Sequence, residues 1–318
     1  MRRNASKAIN NVKRRQFLIG FAICFVGAIC FSSKAILVKL AYRDTSIDSV
    51  TLLTLRMVFS LPFFIPSALF LSGKKNNIKF TGRQWLKIAF VGCLGYYVSS
   101  LLDFIGLQYI SAGMERLILF IYPTLVLLLS LIIYKSKINL RQWFAIALCY
   151  VGLVIAFSKE LFLKENINDE FYLGALAIFA CAFTYAAYIV GSGRLIPLVG
   201  AAKFNSYAMS FAAFGVIIHF VVVTHESLSN LPMQVYLYSA LMAVIATVIP
   251  SYLVSEAIKR IGANNTAIIS SIGPISTIFQ AFIFLGEPVS FLQLVGTSFI
   301  LTGVLLISVK GKIKTEPL

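Results

Sequence analysis

Five ionisable side chains, Lys34, Arg56, Asp103, Glu115 and Arg116, lie inside or within a turn or two of the ends of long apolar runs. A charge at mid-membrane costs roughly 2.5 to 3.5 kcal/mol on insertion scales, so five unpaired ones would oppose insertion strongly. They are expected to face a bundle interior and one another. Three cations against two acids leave one positive charge over, and the carboxylate or phosphate of a bound solute would balance it. Such a set is suited to solute binding and gating rather than bond making. Glu115 and Arg116 are about 100° apart around a helix and are not expected to pair with each other. A structural alternative has Arg56 and Arg116 snorkelling to headgroups, with Asp103 and Glu115 as structural bridges or a closed gate. Lys34 is expected to contact solute from a cavity wall. Tyr97 and Tyr188 are further candidates for that wall, with Tyr96, Ser99, Ser100, Tyr185, Ser270 and Gln280 nearby in the pattern.

The chain holds no HExxH, GxSxG, Walker or dinucleotide-binding motif. His219 and His225 have no second cluster of ligands near them in sequence, and His219 reads as a hydrogen-bonded helix histidine. The five cysteines (Cys24, Cys30, Cys93, Cys149 and Cys181) fall in apolar segments without CxxC spacing, which points to packing. No cofactor, metal site or catalytic residue is therefore expected. An intramembrane enzyme would need a nucleophile or metal constellation, and none is visible.

The elements that position these residues follow from composition. With 59% hydrophobic and 13% charged residues, the chain is far more apolar than soluble domains, which carry about 25% charged residues. The apolar runs are too continuous for barrel strands, which alternate over about 10 residues. They suit spanning helices of about 20. An all-α polytopic membrane protein with ten transmembrane helices is predicted. The first half has spans at about 17–41, 49–72, 85–108, 112–134 and 141–158; the second has spans at about 172–192, 203–224, 233–257, 263–285 and 289–309.

Loop charges alternate along this series. Arg2, Arg3, Lys7, Lys13, Arg14 and Arg15 precede the first span; Lys74, Lys75, Lys79, Arg83, Lys135, Lys137, Arg141, Arg194, Lys203, Lys259 and Arg260 follow on one side, with Lys310, Lys312 and Lys314 at the end. Asp44, Asp48, Glu160, Glu165, Asp169, Glu170, Glu226 and Glu287 occupy the other. The positive-inside rule places both termini in the cytoplasm of a cell bounded by this inner (cytoplasmic) membrane. The net charge of +16 is then topological, and nucleic acid is not a partner. The first apolar stretch exceeds the 7 to 15 residues of a signal core, so it is read as a retained span.

Segments recur at a fixed offset of 151 residues. Ile110, Ala112, Ile118, Ile121 and Pro123 meet Ile261, Ala263, Ile269, Ile272 and Pro274, and Gln142 and Gly152 meet Gln293 and Gly303. Two units with five spans each must be inverted relative to one another, an arrangement common in transporters. The expected organisation is a basic tail (1–16), a first repeat (17–158), an external linker (159–170), a second repeat (171–309) and a second tail (310–318).

FSSKAILVKLAY at the end of the first span, TLLTLRMVF in the second and LGEPVSFLQLVGTSFILTGVLLI near the C-terminus resemble EamA-type members of the drug/metabolite transporter superfamily. The resemblance runs from Phe17 to Ile307. Leu285-Gly286-Glu287-Pro288 is its strongest piece, and the matching Tyr134-Lys135-Ser136-Lys137 lacks the Gly-Glu pair. The resemblance implies a central cavity between repeats with alternating access, moving amino acids, other metabolites, nucleotide sugars or drugs, often outward. A secondary transporter of a small polar metabolite in a lipid bilayer is thus expected. Proton or exchange coupling and oligomeric state are left open, and Asp103, Glu115 and Glu256 are the candidate proton carriers. A receptor-like or structural membrane protein is the alternative.

Overall fold

The structure is a computed structural model, and it describes residues 2–73, 79–135, 138–156, 158, 169–224, 228–286 and 289–308. Within these the chain forms helices joined by short turns. They are α1 (Arg2–Asp44), α2 (Ser49–Ser72), α3 (Gly82–Tyr109), α4 (Ala112–Leu119), α5 (Tyr122–Tyr134), α6 (Leu140–Ala156), α7 (Asp169–Val199), α8 (Ala201–Val223), α9 (Met233–Ile261), α10 (Ala263–Ile269), α11 (Gly273–Leu285) and α12 (Phe291–Ser308). The predicted loop residues Lys74, Lys75, Lys137, Glu160, Glu165, Glu226 and Glu287, and the tail 310–318, lie outside the described residues, as does most of the 159–170 linker.

Local chemistry sets the helix ends. Asp48 caps α2 by accepting from Val50 N at 2.8 Å and Thr51 N at 3.0 Å. Thr81 and Gln84 form a reciprocal capping box at the start of α3. At the start of α6, Gln142 Oε1 accepts from Asn139 N at 3.1 Å, and at the start of α12 Gln293 Oε1 accepts from Ser290 N at 2.8 Å. The glutamines that align between the two halves are therefore helix starters. Pro123 and Pro274 sit in the first turns of α5 and α11, where a missing N–H costs no intrahelical bond. Each follows a break that separates it from the short helix before it.

The 151-residue offset is visible in the backbone. α3, α4, α5 and α6 start at 82, 112, 122 and 140, and α9, α10, α11 and α12 start at 233, 263, 273 and 291. A π-helical segment interrupts α3 at Cys93–Val98 and α9 at Val244–Val248. Packing between the halves follows the same rule with partners exchanged: α1 lies on α9 as α7 lies on α3, and α1 on α11 as α7 on α5. The pairs α2 with α8 and α6 with α12 map onto themselves.

Among the described residues, eight segments are long and apolar enough to cross a bilayer: α1, α2, α3, α4 with α5, α7, α8, α9, and α10 with α11. The other two expected spans, the last of each half, correspond to α6 and α12, of which 17 and 18 residues are described as helix. Their capped starts fix where they begin, and each runs up to residues outside the described ones. α6 and α12 pack on each other through small residues. A Cβ on Gly152 would lie 2.5 Å from Gly296 O, and one on Gly303 would lie 2.6 Å from Ala145 O. The offset carries each of these contacts onto the other.

At the first end, α1 runs on into the basic tail rather than starting near 17. Outward-facing apolar side chains such as Leu86, Ile132, Val222 and Phe291, each more than 70% exposed, cover the surface that lipid would contact.

Two outcomes test this account. Gly152→Val should prevent close approach of α6 and α12 and sharply lower the yield of folded protein, whereas Gly82→Ala, whose Cβ meets nothing within 4 Å, should leave it unchanged; size-exclusion profiles of detergent extracts decide. Lys135 and Gly286 end α5 and α11 at φ 52° and φ 70°, a left-handed region that costs a residue with a Cβ roughly 1 to 2 kcal/mol. Lys135→Gly should therefore raise the melting temperature and Gly286→Ala should lower it.

Candidate functional site

The five charges predicted to be buried converge. Lys34, Arg56, Asp103, Glu115 and Arg116 are each no more than 6% exposed. Lys34 Nζ, on α1, lies 2.8 Å from Asp103 Oδ2 on α3. Arg116 Nε lies 3.0 Å from Glu115 Oε2, so these neighbours do pair, contrary to the expectation from helix geometry. The reason is reach: the long arginine side chain folds back along α4 to meet the carboxylate beside it. The contact is ionic, because neither atom has an aligned hydrogen-bond partner among the described residues. Asp103 and Glu115 are both fully buried, and each feels the charge of the other and of the other pair's cation, so the two pairs form one cluster.

Arg56 is the cation left over. Its Nη2 donates to Ser100 Oγ at 3.2 Å, and its guanidinium stands 5.2 Å from the centre of the Phe104 ring. Nε and Nη1 have no hydrogen-bond partner among the described residues. Orphaned buried donors are costly, and here they mark an excess of positive charge held inside the fold.

Backbone groups tie the cluster to the helix breaks. Arg116 Nη2 donates to Ser32 O at 3.3 Å, while Ser32 Oγ donates to Gly273 O at 3.1 Å, at the start of α11. Tyr122, just after the first break, donates to Ala267 O at 3.2 Å, just before the second. Lys39, which the sequence reading did not single out, donates to Leu107 O at 2.7 Å in the last turn of α3, and Tyr42 donates to Phe104 O at 3.0 Å. A cation at the end of a helix is favourable. The spacing of Lys34, Lys39 and Tyr42 along α1 was the available signal.

A cavity of about 50 Å³ opens between the breaks, with Lys34 and Arg116 in its wall together with Phe31, Phe120, Tyr122 and Tyr185. Serines 32, 99, 100 and 270 add hydroxyls. One water takes about 10 to 15 Å³ on this measure, so the space holds a few waters. Asp103 and Glu115 stand behind the cations and are fully buried.

Of the tyrosines, Tyr97 turns away from the cavity, and its hydroxyl meets His219 Nδ1 at 2.9 Å. Tyr188 stacks behind the wall, 5.8 Å from Tyr185 and 4.9 Å from Tyr96 between ring centres. The residue 151 positions after Lys34 is Tyr185, and that one lines the cavity. Gln280 donates to Ser276 Oγ at 2.8 Å and to Ile29 O at 3.3 Å. Glu256 pairs at the protein surface with Arg260 at 2.8 Å, away from the cluster.

Beyond the cavity, toward the ends of α5 and α7, a second polar set joins the halves. Ser130 Oγ donates to Asn264 Oδ1 at 3.0 Å, and Gln142 Nε2 donates to Asn265 Oδ1 at 3.3 Å. Arg194 stands over the Tyr134 ring at 4.5 Å. The offset carries Asn264, Asn265 and Ser130 onto Gly113, Met114 and Ala281, so the corresponding contact between α4 and α11 cannot be built from the same side-chain hydrogen bonds.

Comparison with known proteins places this architecture. The profile of the EamA-like transporter family matches residues 18–158 and 172–309. The chain is 33% identical over 309 residues to the uncharacterized transporter YcbK of Bacillus subtilis (strain 168), which covers 94% of this chain and 96% of that protein. It is 26% identical over 239 residues to the uncharacterized transporter YyaM of the same organism, covering 74% and 76%. A solved crystal structure superposes with a TM-score of 0.70 over 90% of this chain and 95% of its own, at 16% identity, which bears on the fold alone. Matched in both halves and along almost the whole length of a relative, the protein belongs to the EamA-like transporter family of the drug/metabolite transporter superfamily.

Proposed function

We propose that the protein is a secondary active transporter that exports a small polar metabolite, such as an amino acid or organic anion, by alternating access across the cytoplasmic membrane. The observation that carries this reading is the buried cluster with one cation in excess, bordering a cavity where two equivalent helices break. The excess charge is a vacancy for an anionic group, and Lys34 and Arg116 are the groups that present it. Arg56, Asp103 and Glu115 set the charge of the site from behind, and Tyr188 supports its aromatic wall; Tyr97 acts with His219 instead of with solute.

In this reading the chain spans the membrane ten times, with α6 and α12 as the fifth and tenth spans, the second half inverted and both tails cytoplasmic. The exchange of packing partners between halves and the alternating loop charges support it. The sequence has no Walker motif, so a gradient or a counter-solute supplies the energy. Asp103 and Glu115 are the groups able to carry a coupled proton. The Ser130–Asn264 and Gln142–Asn265 bonds lie toward the basic, cytoplasmic ends and act as a latch there, released when the halves rock.

Melting curves of detergent-purified protein test the anion reading, because a ligand of the folded state stabilises it by mass action. Small carboxylates and phosphates should raise the melting temperature and uncharged sugars should not; equal shifts from both would remove the role of the excess cation. Lys34→Ala alone strands Asp103, a defect of about 3 to 5 kcal/mol, and should lower the yield of folded protein. Adding Asp103→Asn should restore the yield without restoring the response to anions.

The latch gives a second outcome. In a variant carrying Ser270→Cys as the only thiol, a membrane-impermeant maleimide added to the cytoplasmic side should label the cavity slowly. Asn264→Ala with Ser130→Ala should speed that labelling several-fold. Unchanged labelling from this side, with faster labelling from the other, would put the latch on the wrong face.

A further inference from the structure

We propose that the solute taken by this cavity is an aromatic carboxylate that carries no charged amino group. This rests on the transport reading above and adds the shape and charge of the solute.

The charge follows from which members of the cluster reach the wall. Lys34 and Arg116 line the cavity, whereas their partners Asp103 and Glu115 are fully buried behind them and do not. The polar end of the cavity is therefore cationic on its surface, and Arg56 adds a further positive charge behind Ser100. A carboxylate entering there meets two cations. An ammonium group entering with it meets no acid and faces a net positive field, so a zwitterion loses at one end what it gains at the other.

The shape follows from the aromatic part of the wall. Phe31, Tyr122 and Tyr185 are set around one another, with ring centres 5.9 Å apart for Phe31 and Tyr185 and 5.3 Å apart for Tyr122 and Tyr185, the latter pair edge to face. Aromatic rings favour offset and edge-to-face neighbours at such distances, and a planar ring packed against this set extends the same arrangement. Tyr122 has its hydroxyl committed to Ala267 O, so it offers the cavity mainly apolar surface. Phe31 precedes Lys34 by about one helical turn, and Lys34 Nζ lies 5.3 Å from the Phe31 ring centre. An aryl group and a carboxylate separated by a short linker match that spacing.

The test uses the full-length protein in detergent and four probes at millimolar concentration: phenylacetate, phenylacetamide, phenylalanine and succinate. Phenylacetate should raise the melting temperature by about 2 °C or more, with the other three giving no comparable shift. Tyr185→Leu, and independently Phe31→Leu should the first not fold, should abolish the phenylacetate shift. A shift from phenylalanine equal to that from phenylacetate would overturn the exclusion of an amino group, the rings then holding the ammonium by cation–π attraction. A shift from succinate without one from phenylacetate would overturn the aromatic assignment and leave the anion reading standing. No shift from either acid would overturn this proposal; if the wider panel of small carboxylates and phosphates is also silent, the anion reading falls with it.

Discussion

A charge taken out of water must find a counter-charge or a ring of dipoles, and the helices around the buried cluster are arranged to meet that requirement. Lys34 and Asp103 bind α1 to α3, Arg116 reaches from α4 to the backbone of α1, and Arg56 joins α2 to α3 through Ser100. Each link exists because its members would otherwise be stranded in an apolar interior, where losing one partner of a buried pair costs about 3 to 5 kcal/mol. The helix breaks before Tyr122 and Gly273 supply backbone carbonyls at the same level. Polar side chains and open backbone thus stabilise each other at a depth where lipid could satisfy neither.

The scaffold is duplicated but the chemistry is not. Offsetting the first-half cluster by 151 residues replaces Lys34 by Tyr185, Asp103 by Val254 and Arg116 by Ala267, two of which, Tyr185 and Val254, also line the cavity. The polar set around Asn264 shows the converse, with Asn264, Asn265 and Ser130 matched by Gly113, Met114 and Ala281. What both halves retain is the machinery of close approach: π segments at equal positions, prolines after equal breaks, and the glycine seam between α6 and α12. Duplication has fixed the frame and left the cavity wall free to diverge.

How much of this was legible in the sequence varies with the physics involved. Convergence of five charges could be read, because the penalty for burying them singly is large and independent of detail. The breaks before Pro123 and Pro274 fall inside runs that read as single spans, 112–134 and 263–285. The orientation of Tyr97 could not be read. It lies within the π segment Cys93–Val98, whose wider turn shifts the angular phase on which any 3.6-residue wheel depends, and nothing in CLGYYV announces that turn. The pairing of Glu115 with Arg116 was missed because helix angles describe Cβ directions and not the reach of an arginine. The extension of α1 through the tail was missed because basic residues signal topology while also being good helix formers.

The turn after α5 bears on how the chain enters the membrane. Lys135 holds a left-handed backbone that its counterpart Gly286 adopts freely. On the positive-inside expectation the two turns emerge on opposite faces, and the one on the basic side has a lysine where glycine would be easier. On the same expectation that lysine, with Arg141 nearby, would mark its loop for retention during insertion, before any tertiary contact exists. The strain left in the folded protein is then a trace of biogenesis: a small, permanent distortion kept by a residue whose main work was finished before the helices ever met.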